Sequence, residues 1–327
     1  MKMSIRILSY NCRGLRLGQS AGDKARRIVV DSLLAECDIL CLQETWLSKQ
    51  DLGKLNCLNA SFLGVGESTT DLSTAIVRGR IPGWVAVLWD KKIDPVIKPI
   101  RLDVDWCIGI QYTQNNSSFI ILNIYTPYES CQNEQEYLSR LAFINAFIQD
   151  NDTYSIYVLG DFNADLTDSS SQFAKHLTHF CQVNNLILCT KVLLPADSYT
   201  YISEAWHSTS WLDHCICTAD GHAALANMTI RYEVTVSDHI PFGFTVNVEQ
   251  MPATTGNNIA NIATSVKLDW SACSEDDFLA YHSNTDIHLN KISLPKEAIL
   301  CKDVNCKNAV HKHLLCSMYD DTCMMSA

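Results

Sequence analysis

No apolar run in these 327 residues approaches the ~18 needed to cross a bilayer, and no opening stretch orders a charged region, an apolar core and a small-residue cleavage site as a secretory leader does. Both absences point to an intracellular chain whose thiols stay reduced. A basic excess is missing too. Lys and Arg number 25 against 36 Asp and Glu, a net charge of −11, which argues against tight nonspecific binding to nucleic acid yet leaves room for a local basic groove. Internal repeats are absent, which leaves out repeat architectures. What is present is ordinary globular material, 47% hydrophobic and 19% charged. The 15 cysteines sit mostly inside apolar runs, as Cys41, Cys107, Cys189, Cys215 and Cys217 do, where a thiol behaves as a small hydrophobe.

Residues 1–249 alternate short apolar runs with amphipathic segments. Strands are predicted at 4–10, 37–42, 84–89, 106–112, 119–125, 155–160, 212–217, 228–235 and 242–248, from β-branched and aromatic enrichment. Helices are predicted near 23–36, 134–149 and 172–184, the second placing Tyr137, Leu138, Leu141, Ile144 and Phe147 on one face. Many strands and few helices, without strict alternation, indicate an α+β domain in which sheets pack on each other with helices outside. Residues 250–265, uncharged and rich in Ala, Thr, Asn and Gly, read as a flexible linker, and 266–327 as a C-terminal tail.

Four islands of acid, amide and imidazole side chains lie at the ends of apolar runs: Asn11, Gln43-Glu44, Gly160-Asp161-Phe162-Asn163 and Ser237-Asp238-His239. Such positions are loops on the rim of a sheet, where reactive groups sit. One Glu, two Asp, two Asn and one His make an oxygen-rich site for a hard divalent ion with an imidazole beside it, a set suited to metal-assisted cleavage of a phosphate ester. Asp161 and Asn163, two apart after a strand, point the same way, although Gly-Asp-Phe-Asn also reads as a turn. Glu44 alone could equally cap a helix, and Asn11 could satisfy a loop.

The islands, with Ser9-Tyr10-Asn11-Cys12-Arg13-Gly14-Leu15, Leu42-Gln43-Glu44-Thr45-Trp46, Asn123-Ile124-Tyr125-Thr126-Pro127, Asp165 and Leu212-Asp213-His214, resemble the endonuclease/exonuclease/phosphatase superfamily over residues 4–249. Within it the wording is most like the apurinic-type endonuclease domain of non-LTR (LINE-type) retrotransposons. The resemblance implies a DNase I-like, four-layer α/β/β/α sandwich of two packed mixed sheets flanked by helices. It implies Glu44 as the main ligand of one Mg²⁺ or Mn²⁺, with Asn11 and Asp238 serving the metal or its waters. Asp161 would orient or deprotonate the attacking water, Asn163 would hold the phosphate, and Tyr125 would place its hydroxyl near it. Asp213 would orient His239, which contacts the scissile phosphate; whether His239 or Asp161 is the general base stays open. Thr200, Ser210 and Trp211 fall at substrate-contact loops, Trp211 either stacking on a base or packing inside.

Two departures matter. Arg13 stands where apurinic-repair enzymes carry an Asp, which removes a possible metal carboxylate and adds a cation for a phosphate. No polymerase follows within the 327 residues, so a reverse transcriptase would act in trans. The tail's Cys301, Cys306, His311 and Cys316 are five apart, a spacing unlike the usual zinc knuckle, and read as incidental. The expected activity is Mg²⁺-dependent nicking of DNA that leaves 3′-hydroxyl ends, in the nucleus and without a membrane partner. The alternatives are a phosphoesterase on a small ester or lipid head group, and a domesticated, non-catalytic DNA-binding remnant.

Overall fold

The computed structural model describes residues 4–15, 21–70, 84–115 and 117–251. The tail with its Cys/His quartet, and all of the 250–265 segment except Gln250 and Met251, lie outside the described residues; Met251 is buried in the core. In chain order the elements are β1 (Ser4–Asn11), α1 (Ala21–Glu36), β2 (Ile39–Gln43), β3 (Phe62–Glu67), β4 (Val85–Asp90), β5 (Ile97–Ile100), β6 (Cys107–Gln114), β7 (Ser117–Tyr125), α2 (Glu134–Asp150), β8 (Ser155–Asp161), α3 (Gln172–Val183), β9 (Ile187–Leu188), α4 (Cys189–Leu193), β10 (Tyr201–Ser203), β11 (Ser208–Ser210), β12 (Asp213–Cys217), α5 (Ala219–Ala223), β13 (Leu225–Ile230) and β14 (Phe242–Asn247).

Twelve strands make two mixed six-stranded sheets, β13-β14-β1-β2-β4-β3 and β5-β6-β7-β8-β12-β9, and β10 with β11 forms a separate hairpin. Each sheet contains one parallel pair, β1/β2 in the first and β7/β8 in the second. A parallel pair needs a crossover, and α1 and α2 supply them. The chain builds four strands of the first sheet, then the whole second sheet, and returns to finish the first with β13 and β14.

Strand residues alternate between faces, and the buried apolar residues follow that alternation. Ile5 and Ile7 of β1, Ile39 and Cys41 of β2, Val85 and Val87 of β4, Phe119 and Ile121 of β7, Tyr157 and Leu159 of β8, and Cys215 and Cys217 of β12 fill the layer between the sheets. The other face of the first sheet, Leu8, Tyr10, Leu40 and Leu42, packs on Val30, Leu33 and Leu34 of α1. That of the second, Ile120, Leu122, Ile156 and Val158, packs on Tyr137, Leu141 and Ile144 of α2 and Phe173, Leu177 and Phe180 of α3. The result is the four-layer α/β/β/α sandwich of two packed mixed sheets flanked by helices.

Some strands, β3, β5, β9, β10 and β11 among them, fall outside the expected set, and one expected strand differs in extent. The run 228–235 yields β13 at Leu225–Ile230, followed by a turn in which the amide of Val234 bonds to Arg231 O and the Arg231 and Glu233 side chains pair at 2.6 Å. Val234 is buried with the α1 cluster, so its apolar character serves loop packing instead of a longer strand. Among the described residues no helix is long and apolar enough to cross a membrane.

Candidate active site

The inward-facing rows do not stay apolar. Two residues beyond Ile7, β1 carries Ser9 and then Asn11; β2 carries Gln43 after Cys41; β7 carries Asn123 and Tyr125 after Ile121; β8 carries Asp161 after Leu159; β12, running the other way, begins with Asp213 before Cys215. All end at one edge of the sandwich, where Asp161 pairs across the sheet with both Tyr125 and Asp213. The site is the polar end of the layer between the sheets.

Sharp turns hold the loops at that edge. Arg13, Glu44, Trp46 and Asn163 have φ between 46° and 53°, a left-handed conformation uncommon without glycine and concentrated at functional sites. The loops after β1 and β2 are tied by Gly14 N to Glu44 O (2.7 Å) and Leu15 N to Thr45 O (2.8 Å). Just before Asp161, Gly160 has φ +139°, and a Cβ there would lie 2.0 Å from Ile124 O, so only glycine lets β8 meet β7 at this point.

Asn11 joins the parts. Its Nδ2 donates to Glu44 Oε1 (3.2 Å) and to Asp161 Oδ2 (2.9 Å), and its Oδ1 accepts from Arg13 N (3.1 Å), which fixes the amide's orientation. Glu44 also accepts from the Tyr125 hydroxyl (3.1 Å) and from Trp46 Nε1 (3.2 Å). Asp161 accepts from Asn163 N (2.9 Å), while Asn163 Nδ2 donates to Thr126 O (2.9 Å). His239 Nδ1 meets Asp213 Oδ2 at 2.8 Å, and its Nε2 lies 3.8 Å from Asp161 Oδ2 and 3.5 Å from Asn11 Nδ2. The loop bearing His239 is anchored by Ser237, whose hydroxyl donates to Asn11 O (3.0 Å) and accepts from His239 N (3.2 Å).

Burial and charge set the protonation. Burial pushes the Asp161 carboxyl up to about 7; the neighbouring imidazole works against this, and the Asp213 and Glu44 carboxylates add to it. For His239 burial alone lowers the pKa, but Asp213, Asp161 and Asp238 outweigh it and raise the group to about 10. His239 is therefore an imidazolium at neutral pH. Burial, with Glu44 and Asp161 close by, keeps Tyr125 a phenol and so a donor.

The donor chemistry fits a hard divalent ion. Asp161, Asp213 and His239 offer atoms within 4.8 Å of one another, the one such group among the described residues. An imidazolium has no lone pair to give, however, and Asp213 is taken up by it. That leaves the half-buried Glu44 as the carboxylate ligand, with Asp161 tied to it through Asn11, whose Nδ2 donates to both and so offers no oxygen itself; one carboxylate suffices for an ion that keeps several waters.

The predicted residues Asn11, Glu44, Tyr125, Asp161, Asn163, Asp213 and His239 thus fall in one network. Arg13 and Asp238 lie beside it but pair with each other at 2.7 Å, so Asp238 faces a guanidinium instead of the carboxylates. Thr200 and Trp211 are not on a substrate surface. Thr200 is wholly buried, and its hydroxyl accepts from Leu212 N and Asp213 N, which places the aspartate. The buried Trp211 ring lies 5.9 Å from the His214 ring. Ser210 bonds Asp165, whose carboxylate also takes Trp211 N, so Asp165 anchors this loop. Trp46, Thr126 and Ser237 stand in the motifs read from sequence but carry no role there; the structure makes them partners of Glu44, Asn163 and His239.

Comparison with known proteins agrees with this geometry. The model of the Endonuclease/Exonuclease/phosphatase family matches residues 8–239. No curated protein matches the sequence. Among solved structures, the AP endonuclease LMAP from Leishmania major superposes with a TM-score of 0.60 at 14% identity, covering 75% of this chain and 88% of its own. The endonuclease domain of TRAS1, a telomere-specific non-LTR retrotransposon, gives 0.55 at 14%, covering 75% and 99%. A 3′-5′ exonuclease from Neisseria meningitidis gives 0.55 at 17%, covering 74% and 100%. At such identities these structures show a shared fold.

Proposed function

The chain belongs to the endonuclease/exonuclease/phosphatase family, and from that premise we propose that it is a Mg²⁺-dependent endonuclease of retrotransposon descent that nicks DNA. The observation that carries the reading is the buried line Asp213–His239–Asp161 ending on Asn11 and Glu44. It sets a fixed cation beside a carboxylate balanced between its two protonation states. A phosphodiester places its non-bridging oxygens against the His239 imidazolium, whose charge rises in value as the attacked phosphorus gains negative charge. Asp161, near 7, is matched to take a proton from water at neutral pH, a task closed to His239 once it is protonated. Asp213 holds the imidazole in place and keeps it charged. A divalent ion held by Glu44, whose carboxylate Asn11 Nδ2 helps to aim, would supply further neutralisation of the phosphate and of the departing 3′ oxygen. Tyr125 and Trp46 aim the Glu44 carboxylate.

A polymeric substrate is supported by the β10–β11 hairpin. It lies against the His239 loop through an isolated Tyr201–His239 bridge and carries Trp206, 83% exposed, at its tip. An exposed indole offers a stacking face to a base, which a small ester does not need. Descent from a retroelement implies nuclear action and a reverse transcriptase that extends the 3′-hydroxyl.

Supercoiled plasmid tests this. We expect open circles with Mg²⁺, none with EDTA, and ends that a polymerase extends without further processing. Glu44→Gln should cut more slowly, with the loss partly offset at high Mg²⁺ or with Mn²⁺. Turnover of a small chromogenic phosphodiester with plasmid left intact would overturn the DNA reading.

A further inference from the structure

Directly beneath the site, the two sheets are joined by amides instead of hydrocarbon. Asn123 of β7 is fully buried, and its Nδ2 reaches across to the first sheet, donating to Leu42 O and Ala86 O at 2.9 Å each. Its Oδ1 accepts from Gln43 Nε2 at 2.6 Å, and the same nitrogen donates to Ser9 Oγ at 3.1 Å. Gln43 Oε1, equally buried, accepts from no protein group. Farther from the edge the same rows are apolar: Ile7, Cys41 and Ile121.

Burying two primary amides between sheets costs free energy that aliphatic side chains of the same volume would not. What amides add is direction. Apolar contact tolerates sliding of one sheet over the other, because the hydrophobic effect has no preferred geometry, while a set of short hydrogen bonds does not. The place where sliding would matter is one residue away. Gln43 precedes Glu44, Ser9 lies two before Asn11, and Asn123 two before Tyr125. Three contacts of the site cross the same gap: Asn11 to Asp161, Tyr125 to Glu44, and His239, on the loop before β14, to Asp213 of β12.

We propose that Asn123 and Gln43 are positioning residues, a clamp that fixes the register of the two sheets and thereby the spacing between the groups each sheet brings to the site. The rate arm of the test rests on the nuclease reading; the spectroscopic arm does not. Asn123→Leu keeps the branched shape, with somewhat more bulk, and removes every clamp bond from β7. Gln43→Met removes the Nε2 donor but leaves both Asn123 bonds to the first sheet. In the full chain, labelled with ¹⁵N-histidine, the hydrogen-bonded Nδ1 proton of His239 should resonate far downfield. Both variants should melt cooperatively. In Asn123→Leu that resonance should move upfield or broaden, and nicking at saturating Mg²⁺ should fall about tenfold or more, in keeping with the steep cost of small misplacements. KM for DNA should stay within about twofold. Gln43→Met should show the same changes more weakly, and the double variant should be no worse than Asn123→Leu, as for groups acting as one unit. A lower melting temperature with an unmoved His239 resonance and an unchanged rate would reduce the pair to a stabilising contact and overturn the proposal. If Asn123→Leu does not fold, the same two readouts on Gln43→Met decide between these outcomes. A shifted resonance in a protein whose parent nicks nothing would uphold the clamp and sink the nuclease reading.

Discussion

Neighbouring residues of β12 feed two opposite environments. Asp213 points into the layer between the sheets and holds His239; His214 points to the other face, toward the helices. Both imidazoles are buried, yet one is driven up to about 10 and the other down to about 4. His214 hydrogen-bonds only neutral groups, Ala164 O at 2.8 Å and the Thr190 hydroxyl at 3.3 Å, beside the rings of Phe162 and Trp211, and the pull of the Asp213 and Asp165 carboxylates does not offset its burial. Desolvation then decides, and the ring stays neutral. His239 suffers the same desolvation but meets Asp213 at 2.8 Å and Asp161 at 3.8 Å, which reverse it. Burial alone therefore does not fix the charge of a histidine; what faces its two nitrogens does. A period of two along one strand keeps these environments apart.

The widest separation should appear in rate. His239→Ala should lower single-turnover nicking about 10²–10³-fold, or about 3–4 kcal/mol, at every Mg²⁺ concentration, because the lost group is a fixed cation that ions in solution do not replace. His214→Gln should leave the rate within a few-fold and lower the melting temperature instead. Equal rate losses would erase the distinction. Asp213→Asn comes next. It should slow cutting less than His239→Ala, and histidine NMR should show His239 titrating closer to its ordinary range. The double variant should be little slower than His239→Ala alone; additive losses would mean that Asp213 acts by some other route.

The smallest effect lies in stability against pH. His214 titrates near 4 when folded and near 6.5 when unfolded, so its contribution is present above pH 6.5 and is lost as pH falls through 4, by about 3 kcal/mol. His239 has the opposite sign: its raised folded pKa contributes below 6.5 and is lost as pH rises through about 10. Urea midpoints should thus fall on both sides of neutrality, the acid limb flattened in His214→Gln and the alkaline limb in His239→Ala. Unchanged limbs in both would contradict the assigned charges.

Much of this was legible in the sequence because it is local. Alternation in Ile5–Ile7 and Ile39–Cys41 gives the strands, and the break to Asn11 and Glu44 gives the edge. Pairing is not local. Asn11 meets partners 33, 150 and 228 residues away, and nothing in the sequence says that Arg13 would face Asp238. Thr200 reads as a substrate contact, and Trp211 is left open between stacking and packing, because the partners that bury them, such as Leu212 N and Asp213 N for Thr200 and His214 for Trp211, are set by loop geometry around strands of only three residues. β3 escaped notice because Gly64 and Gly66 interrupt its run of apolar residues. The charge of His239 depends on two carboxylates that only the fold brings together.

The order in which the chain is made gives the return of the last two strands a further meaning. Synthesis proceeds from the N-terminus, and early segments begin to fold before later ones exist. Asn11, Glu44, Asp161 and Asp213 all precede the loop that carries His239, and that loop is held in place by β14, which pairs with β1 only when residues up to Asn247 are in hand. A growing or prematurely ended chain therefore has its acids without its cation. If the chain cuts DNA as proposed, its own connectivity keeps it disarmed until β14, the last strand among the described residues, closes the first sheet.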